Sequence, residues 1–141
     1  MPFLKILTLS LILSFLTLTT VFAADQSKEL SHYTEIQSLL AKDIFLGVPA
    51  AAQKLSSEAK DKHHSKLGKA SEELALATDI KSAREKFKKV SAEILPLAKL
   101  DKTKNFEIVY CPMAKARWVQ KTGSIANPYY GSEMLECGVK E

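Results

Sequence analysis

The chain has 141 residues, of which 46% are hydrophobic and 26% charged, with 5 Gly, 5 Pro, 2 Cys and a formal net charge of +4. That arithmetic allows one small domain and excludes a collagen-like, a disulfide-dense or a wholly disordered chain.

The hydrophobic fraction is concentrated at the start. No charge occurs from Ile6 to Ala24, and Lys5 precedes a nearly unbroken apolar run from Ile6 to Leu18. Val21-Phe22-Ala23 then places small residues where a signal peptidase reads. A positive start, an apolar middle and a small-residue end predict a secretory signal peptide over residues 1–23, cut after Ala23. A permanent anchor fits less well. The run falls short of the roughly 20 residues a bilayer core needs, and four Thr and two Ser dilute it. No Cys near the cut suggests a lipoprotein. Residues 24–141 are therefore expected outside the cytoplasm, periplasmic or secreted, as one helical domain with no stable membrane anchor after cleavage.

From Lys28 to Leu100 the chain is rich in Ala, Leu, Lys, Glu and Ser. A first helical pattern runs from about Ser31 to Ile44, with Tyr33, Ile36, Leu39 and Leu40 on one face. Gly47 ends it, and Pro49 suits the first turn of a second helix that points Ala51, Ala52, Leu55 and Ala59 inward. Gly68 predicts a break before a short third segment bearing Ala70, Leu74 and Ala77. The fourth helix is the clearest: Thr78 or Asp79 can cap it, and Ile80, Ala83, Phe87, Val90, Ile94 and Leu97 step by three and four. Pro96 is expected to end or kink it near Leu95. The fold class expected is mainly α, an antiparallel bundle of about four helices with a short C-terminal β-hairpin and loop region.

After Asp101 the pattern changes. Phe106-Glu107-Ile108-Val109-Tyr110 alternates like a strand, and Arg117-Trp118-Val119-Gln120 reads as a second. Lys121 to Gly123 is a turn, and Asn127-Pro128-Tyr129-Tyr130-Gly131 combines turn chemistry with two aromatics expected to pack over the hairpin. Both cysteines, two of the three methionines and the only tryptophan lie in this last third. Chemistry is to be sought there, over about residues 105–139.

Cys111-Pro112-Met113 sets a thiol and a thioether at i and i+2, which face one side if the segment is extended. Met134-Leu135-Glu136-Cys137 sets a second pair three residues apart. Cys111, Met113, Met134 and Cys137 thus form a candidate soft-metal ligand set. Thiolate and thioether sulfur select Cu(I), with Ag(I) as its surrogate, whereas Zn²⁺ takes Cys, His or carboxylate rather than Met. Trp118 would add a π face near such a cation. A disulfide between Cys111 and Cys137 stands beside this reading, since two cysteines in an exported chain commonly pair. It would add about 3–4 kcal/mol in the chain-entropy treatment, with Met113 and Met134 as core fillers. A reduced, metal-loaded form and an oxidised, empty form are compatible with one geometry.

Cys111-Pro112-Met113-Ala114, Trp118-Val119-Gln120, Asn127-Pro128-Tyr129-Tyr130-Gly131 and Met134-Leu135-x-Cys137-Gly138 form a compound motif that resembles domain of unknown function 3347. Upstream, Tyr33, Leu39, Leu40 and Asp43, then Arg84, Phe87, Val90 and Ser91, are similar to the same family. The resemblance spans roughly Leu30 to Val139. It implies a mostly helical domain associated with metal resistance, found alone in exported bacterial proteins or appended to periplasmic copper and silver efflux adaptors. Such an adaptor, or another copper-handling protein, is the partner it implies. Many members carry a longer insert between the Cys-Pro-Met segment and the Trp; here only Ala114 to Arg117 intervene, so the hairpin should be tight.

Other residues carry less. His63 and His64, adjacent on a helix, would point about 100° apart and chelate poorly; they read as solvated helix-end histidines or at most an auxiliary Cu(II) or Zn²⁺ site. The lysines from Lys54 to Lys69 and from Lys81 to Lys89 alternate with acids, as solvated faces do, and argue for no nucleic-acid partner. No Cys-x-x-Cys motif, no histidine near either cysteine in sequence and no phosphate-cradling loop occurs, so no enzyme is expected.

Overall fold

The computed structural model describes residues 28–141, and the signal-peptide expectation over residues 1–23 lies outside them. Four helices precede a small three-stranded antiparallel sheet, a mainly α architecture. We label the helices α1 (residues 28–41), α2 (Val48–Asp61), α3 (Ser65–Ala75) and α4 (Ile80–Leu100), and the strands β1 (Phe106–Cys111), β2 (Ala116–Lys121) and β3 (Val139–Lys140). Among the described residues no helix is long and apolar enough to cross a membrane.

The helices bury the faces that their spacing marks out. Tyr33, Ile36 and Leu40 of α1, Ala51, Ala52, Leu55 and Ala59 of α2, and Phe87, Val90 and Ile94 of α4 join one core. Leu39 is partly buried at its margin. Pro49 lies in the first turn of α2, where its missing N–H costs nothing. Asp79 caps α4 by accepting the Ser82 N–H at 2.8 Å.

Two helix ends depart from expectation for one reason. The first helix stops at residue 41, not Ile44, because Asp43 turns left-handed (φ 58°) and the Ile44 N–H returns to the Leu39 carbonyl at 2.9 Å. The second ends likewise: His63 is left-handed (φ 63°), and the His64 N–H reaches the Ala59 carbonyl at 2.8 Å. Both are Schellman closures, a motif that usually places glycine at the left-handed position. Gly68 is therefore not the break. It lies inside α3, where the helix runs against α2: a Cβ there would come within 2.9 Å of Lys60 Cγ and 3.4 Å of the Ser56 carbonyl. Ser56 Oγ donates to the Gly68 carbonyl across the same contact (2.9 Å).

His63 and His64 accordingly flank a joint rather than ride one helix. His64 precedes α3, and its Nδ1 lies 2.8 Å from Oε1 of Glu29, whose carboxylate is fully buried. His64 is thus a helix-end histidine with a side chain 38% exposed, and the buried carboxylate it pairs with is what the sequence did not indicate. Pro96 does not end the helix: α4 continues through it to Leu100. The ring removes one backbone hydrogen bond, yet Ile94 and Leu97 on either side stay buried, and their packing carries the helix past the gap.

β1 is the central strand, in the order β2-β1-β3. It pairs with β2 from Phe106↔Lys121 to Cys111↔Ala116, and with β3 at Val109↔Lys140 and Tyr110↔Val139. The hairpin turn is tight, Pro112 to Lys115, with Lys115 left-handed (φ 51°). β3 was not expected; its two exposed residues carry no strand-like apolar alternation. The sheet packs on α4. An aromatic column joins the two layers: Tyr33 stacks on Phe87 (4.9 Å between centroids), Phe87 meets Tyr129 (6.2 Å), and Tyr129 meets the edge of Trp118 (5.9 Å, 87°). The Tyr33 hydroxyl lies 2.6 Å from Ser91 Oγ and accepts the Val119 N–H of β2 (3.3 Å).

A left-handed residue other than glycine costs about 1 kcal/mol. His63→Gly is therefore expected to stabilise the fold by about 1 kcal/mol in urea unfolding, less whatever His63 contributes to solvation at the joint. Tyr33→Phe removes two buried hydrogen bonds and should cost about 1–2 kcal/mol by the same measurement.

Candidate metal centre

The two cysteines come from different kinds of structure. Cys111 ends β1, is fully buried, and lies on the sheet face that also bears Val109 and Trp118. Cys137 sits between a short 3₁₀ turn (Gly131–Glu133) and β3, on a segment laid over that face. The overlay is close: a Cβ on Gly138 would fall 2.7 Å from both the Trp118 ring and Val109 Cγ1. Glycine is required there by proximity, and it lets the chain bring Cys137 down onto Cys111. The sulfurs are 3.3 Å apart, and both are free thiols.

Three groups position Cys137. The Asn127 amide, fully buried, donates to the Cys137 carbonyl (2.7 Å) while its Oδ1 accepts the Tyr129 N–H (2.8 Å). The Cys137 N–H bonds the Met134 carbonyl (3.1 Å), and the Asn127 N–H bonds that of Leu135 (2.7 Å). The loop carrying Asn127 is in turn fixed to the helices. Arg84 of α4 donates to the Pro128 carbonyl (3.0 Å), the Leu40 carbonyl (2.9 Å) and Asp43 Oδ1 (2.5 Å). Asp43 Oδ2 accepts the Ser132 N–H (3.0 Å). Gly131 (φ 57°) fits the space between; a Cβ there would collide with the Asp43 carboxylate and the Arg84 guanidinium.

The thiols are electrostatically unequal. Burial works to raise the Cys111 pKa, but hydrogen bonds from the Ala114 N–H (3.4 Å), the Cys137 thiol, the Asn127 amide and the Met113 N–H together hold it below the ordinary value. The Cys137 thiol is pushed up, first by its hydrogen bond to Cys111, then by burial and by the Cys111 charge. Cys111 is thus the more acidic of the two, and Cys137 holds its proton more tightly. The Cys-Pro-Met-Ala turn supplies backbone N–H groups to the Cys111 sulfur, as turns with converging amides do for anions.

The remaining candidates are placed as follows. Met113 is in the turn rather than in an extended segment, so the i, i+2 alternation with Cys111 does not hold; its residue is 62% exposed. Its carbonyl accepts the Tyr130 hydroxyl (3.3 Å). Met134 is half-buried at the end of the 3₁₀ turn. The fold therefore joins Cys111 to Cys137 directly and leaves Met113 largely in solvent. Trp118 is fully buried under Gly138, and its indole N–H bonds Gln120 Oε1 (2.9 Å). Tyr129 packs over the hairpin as expected, its hydroxyl donating to the Arg117 carbonyl. Among the described residues no three His, Cys, Asp or Glu side chains converge as a metal site.

Asn127 and Ser132 were not singled out from residue chemistry, although Asn-Pro marked a turn. Their roles are made by partners 10 and 89 residues away in sequence. Comparison with profiles of protein families, with curated proteins and with solved structures finds no match to this chain.

Asn127→Ala would leave the Tyr129 N–H and the Cys137 carbonyl unpaired. It should cost about 2–3 kcal/mol in thermal unfolding and make Cys137 more readily alkylated by iodoacetamide. Asp43 gives a pH signature. Hydrogen bonds from Ser132, then Arg84, lower its carboxyl from 3.8 to about 2. A lowered folded pKa adds stability that is present above the unfolded value and lost as pH falls through the folded one. The melting temperature of the wild type should therefore fall more steeply between about pH 4 and pH 2 than that of Asp43→Asn.

Proposed function

We propose that this chain is an exported soft-metal-binding domain, a Cu(I) or Ag(I) scavenger or metallochaperone that works beside a metal-efflux adaptor. The observation that carries the reading is the pair of free thiols 3.3 Å apart at the hairpin turn, with backbone N–H groups aimed at sulfur. Thiolates bind soft monovalent cations in preference to hard ones. Hydrogen bonds to Cys111 lower its pKa and so favour the thiolate, the form that binds such an ion. The donor set fits the cargo. Cys111 is fixed by its strand, and Cys137 is half-buried on the overlying segment. Met134, half-buried beside it, and the exposed Met113 offer thioethers by which an ion would pass to or from a partner one sulfur at a time. The resemblance to domain of unknown function 3347 supports the same reading, because every segment of that compound motif is part of this one construction.

A second reading has its own observation. Thiols at 3.3 Å need to close by little more than about 1 Å to reach a disulfide of about 2.05 Å. In that form the chain is a non-enzymatic interaction or structural module with its tail locked on the sheet.

An anaerobic titration of the reduced protein with Cu(I), against a chromophoric chelator, separates the two. Metal handling predicts one tight equivalent, lost in Cys111→Ser and in Cys137→Ser, and about tenfold weaker when Met113→Leu and Met134→Leu are combined. A locked module predicts no competition with the chelator beyond that of two unstructured thiols, and no rise in melting temperature on adding the ion.

A further inference from the structure

The two sulfurs are not equivalent to a reagent arriving from solvent. Cys111 is fully buried, beneath the segment that bears Cys137 and beside Val109 and Trp118. Cys137 is half-buried. A nucleophile attacks a disulfide sulfur along the S–S axis, from the side opposite the sulfur that leaves, so it must first reach the sulfur it attacks. Cys111 offers no accessible surface for that approach, which leaves Cys137.

We infer that the Cys111–Cys137 pair exchanges with low-molecular-weight thiols and disulfides through Cys137 alone, with Cys111 as the sulfur expelled or recaptured. This deepens the proposed function by naming a redox control of the same site. It rests on the pairing of the sulfurs, which both readings share, and not on metal binding.

The steps balance. In reduction, an external thiolate attacks Cys137 Sγ, the Cys111–Cys137 bond breaks, and its electron pair leaves on Cys111 Sγ. The Ala114 N–H, 3.4 Å from that sulfur, is already placed to receive the charge. A second thiolate attacks the external sulfur of the mixed disulfide, releasing the small disulfide and Cys137, which takes a proton from water. Two external thiols are oxidised and the protein disulfide is reduced. In oxidation, Cys137 gives its proton to water and attacks a small disulfide, expelling one thiolate. Cys111, at 3.3 Å in the resting pair, then attacks Cys137 Sγ and expels the second. Asn127 and Met134 hold the backbone of Cys137 at both steps, so the mixed disulfide is short-lived and the pair returns to itself. Oxidation would withdraw both thiolates from a soft metal at once; reduction would restore them.

The test uses glutathione as the probe. The oxidised wild-type protein is mixed with excess glutathione, quenched in acid after short times, and digested for mass spectrometry. The adduct is expected on the peptide carrying Cys137 and not on the one carrying Cys111. In parallel, Cys111→Ser and Cys137→Ser are treated with glutathione disulfide. The variant that retains Cys137 should be modified about 100-fold faster than the one that retains Cys111, and the rates should converge in urea, where access is equal. An adduct on Cys111, equal labelling of both, or equal rates for the two folded variants overturns the assignment. The wild-type arm needs no variant to fold. The Cu(I) titration can fail while the glutathione polarity holds, and the reverse, so the two results are separable.

Discussion

The guanidinium of Arg84 reaches from the N-terminal part of α4 to two segments far from it in sequence. It bonds the carbonyl that closes α1 and the carboxylate just beyond it, and it bonds the Pro128 carbonyl of the tail. Asp43 completes the bridge by accepting the Ser132 N–H with its other oxygen. A planar group with several fixed donors suits such a junction better than a lysine, which would meet one acceptor at a time. The site depends on this junction because β3 contributes only two residues of pairing, too few to place a segment of this length. The loop is gripped from both sides: Arg84 and Asp43 hold it to the helices, while Gln120 bonds the Ser124 and Ala126 backbone and the Tyr129 hydroxyl reaches the Arg117 carbonyl of β2. The cysteines meet where the two frames cross.

The same dependence explains two choices that local propensity disfavours. Asp43 occupies the left-handed position of a Schellman closure, where glycine would be less strained. Glycine there would surrender the carboxylate that pairs Arg84 and Ser132. Gly131, also left-handed, has no such freedom in the other direction, since any side chain would fill the space of the ion pair. A local conformational cost at one residue and a loss of side chain at another are both offset by one tertiary junction. The aromatic column acts in parallel with it. Tyr33, Phe87, Tyr129 and Trp118 come from α1, α4, the tail and β2, so burial of each ring requires all four elements to be docked.

What could be read from the residues follows from this division. Helix faces, the Pro49 start, the Asp79 cap and the hairpin strands are encoded within a few residues, and each is legible as periodicity or as a capping preference. The end of α2 was not, because His63 gives no compositional sign that it will turn left-handed, while Gly68, a breaker by composition, is kept for close approach to α2. Pro96 as a helix end misled in the same way: its missing N–H is a local defect, and the packing of Ile94 and Leu97 that carries the helix past it is not local. Glu29, fully buried against His64, is a further case: its partner lies 35 residues on, and no local pattern marks the pair. For the site, residue chemistry selected both cysteines but gave no distance between them. The extended geometry expected for Cys111-Pro112-Met113 became a turn, and with it the Met113 and Ala114 N–H groups were turned toward sulfur.

That change alters what the Cys-Pro-Met segment is for. An extended segment would present thiol and thioether side by side as equal ligands. A turn instead spends its backbone on stabilising charge at Cys111 and sends the Met113 side chain outward. Thiolate stabilisation by amide N–H groups lowers the cost of holding charge in a buried position, where desolvation alone would keep the thiol protonated. Cys137, the partner nearer to water, holds its proton more tightly than Cys111 does. Sulfur is thus graded from core to solvent, from buried Cys111 through half-buried Cys137 to exposed Met113. On the soft-metal reading proposed above, that gradient would favour stepwise engagement over a closed four-ligand cage, because the sulfurs lie at different depths.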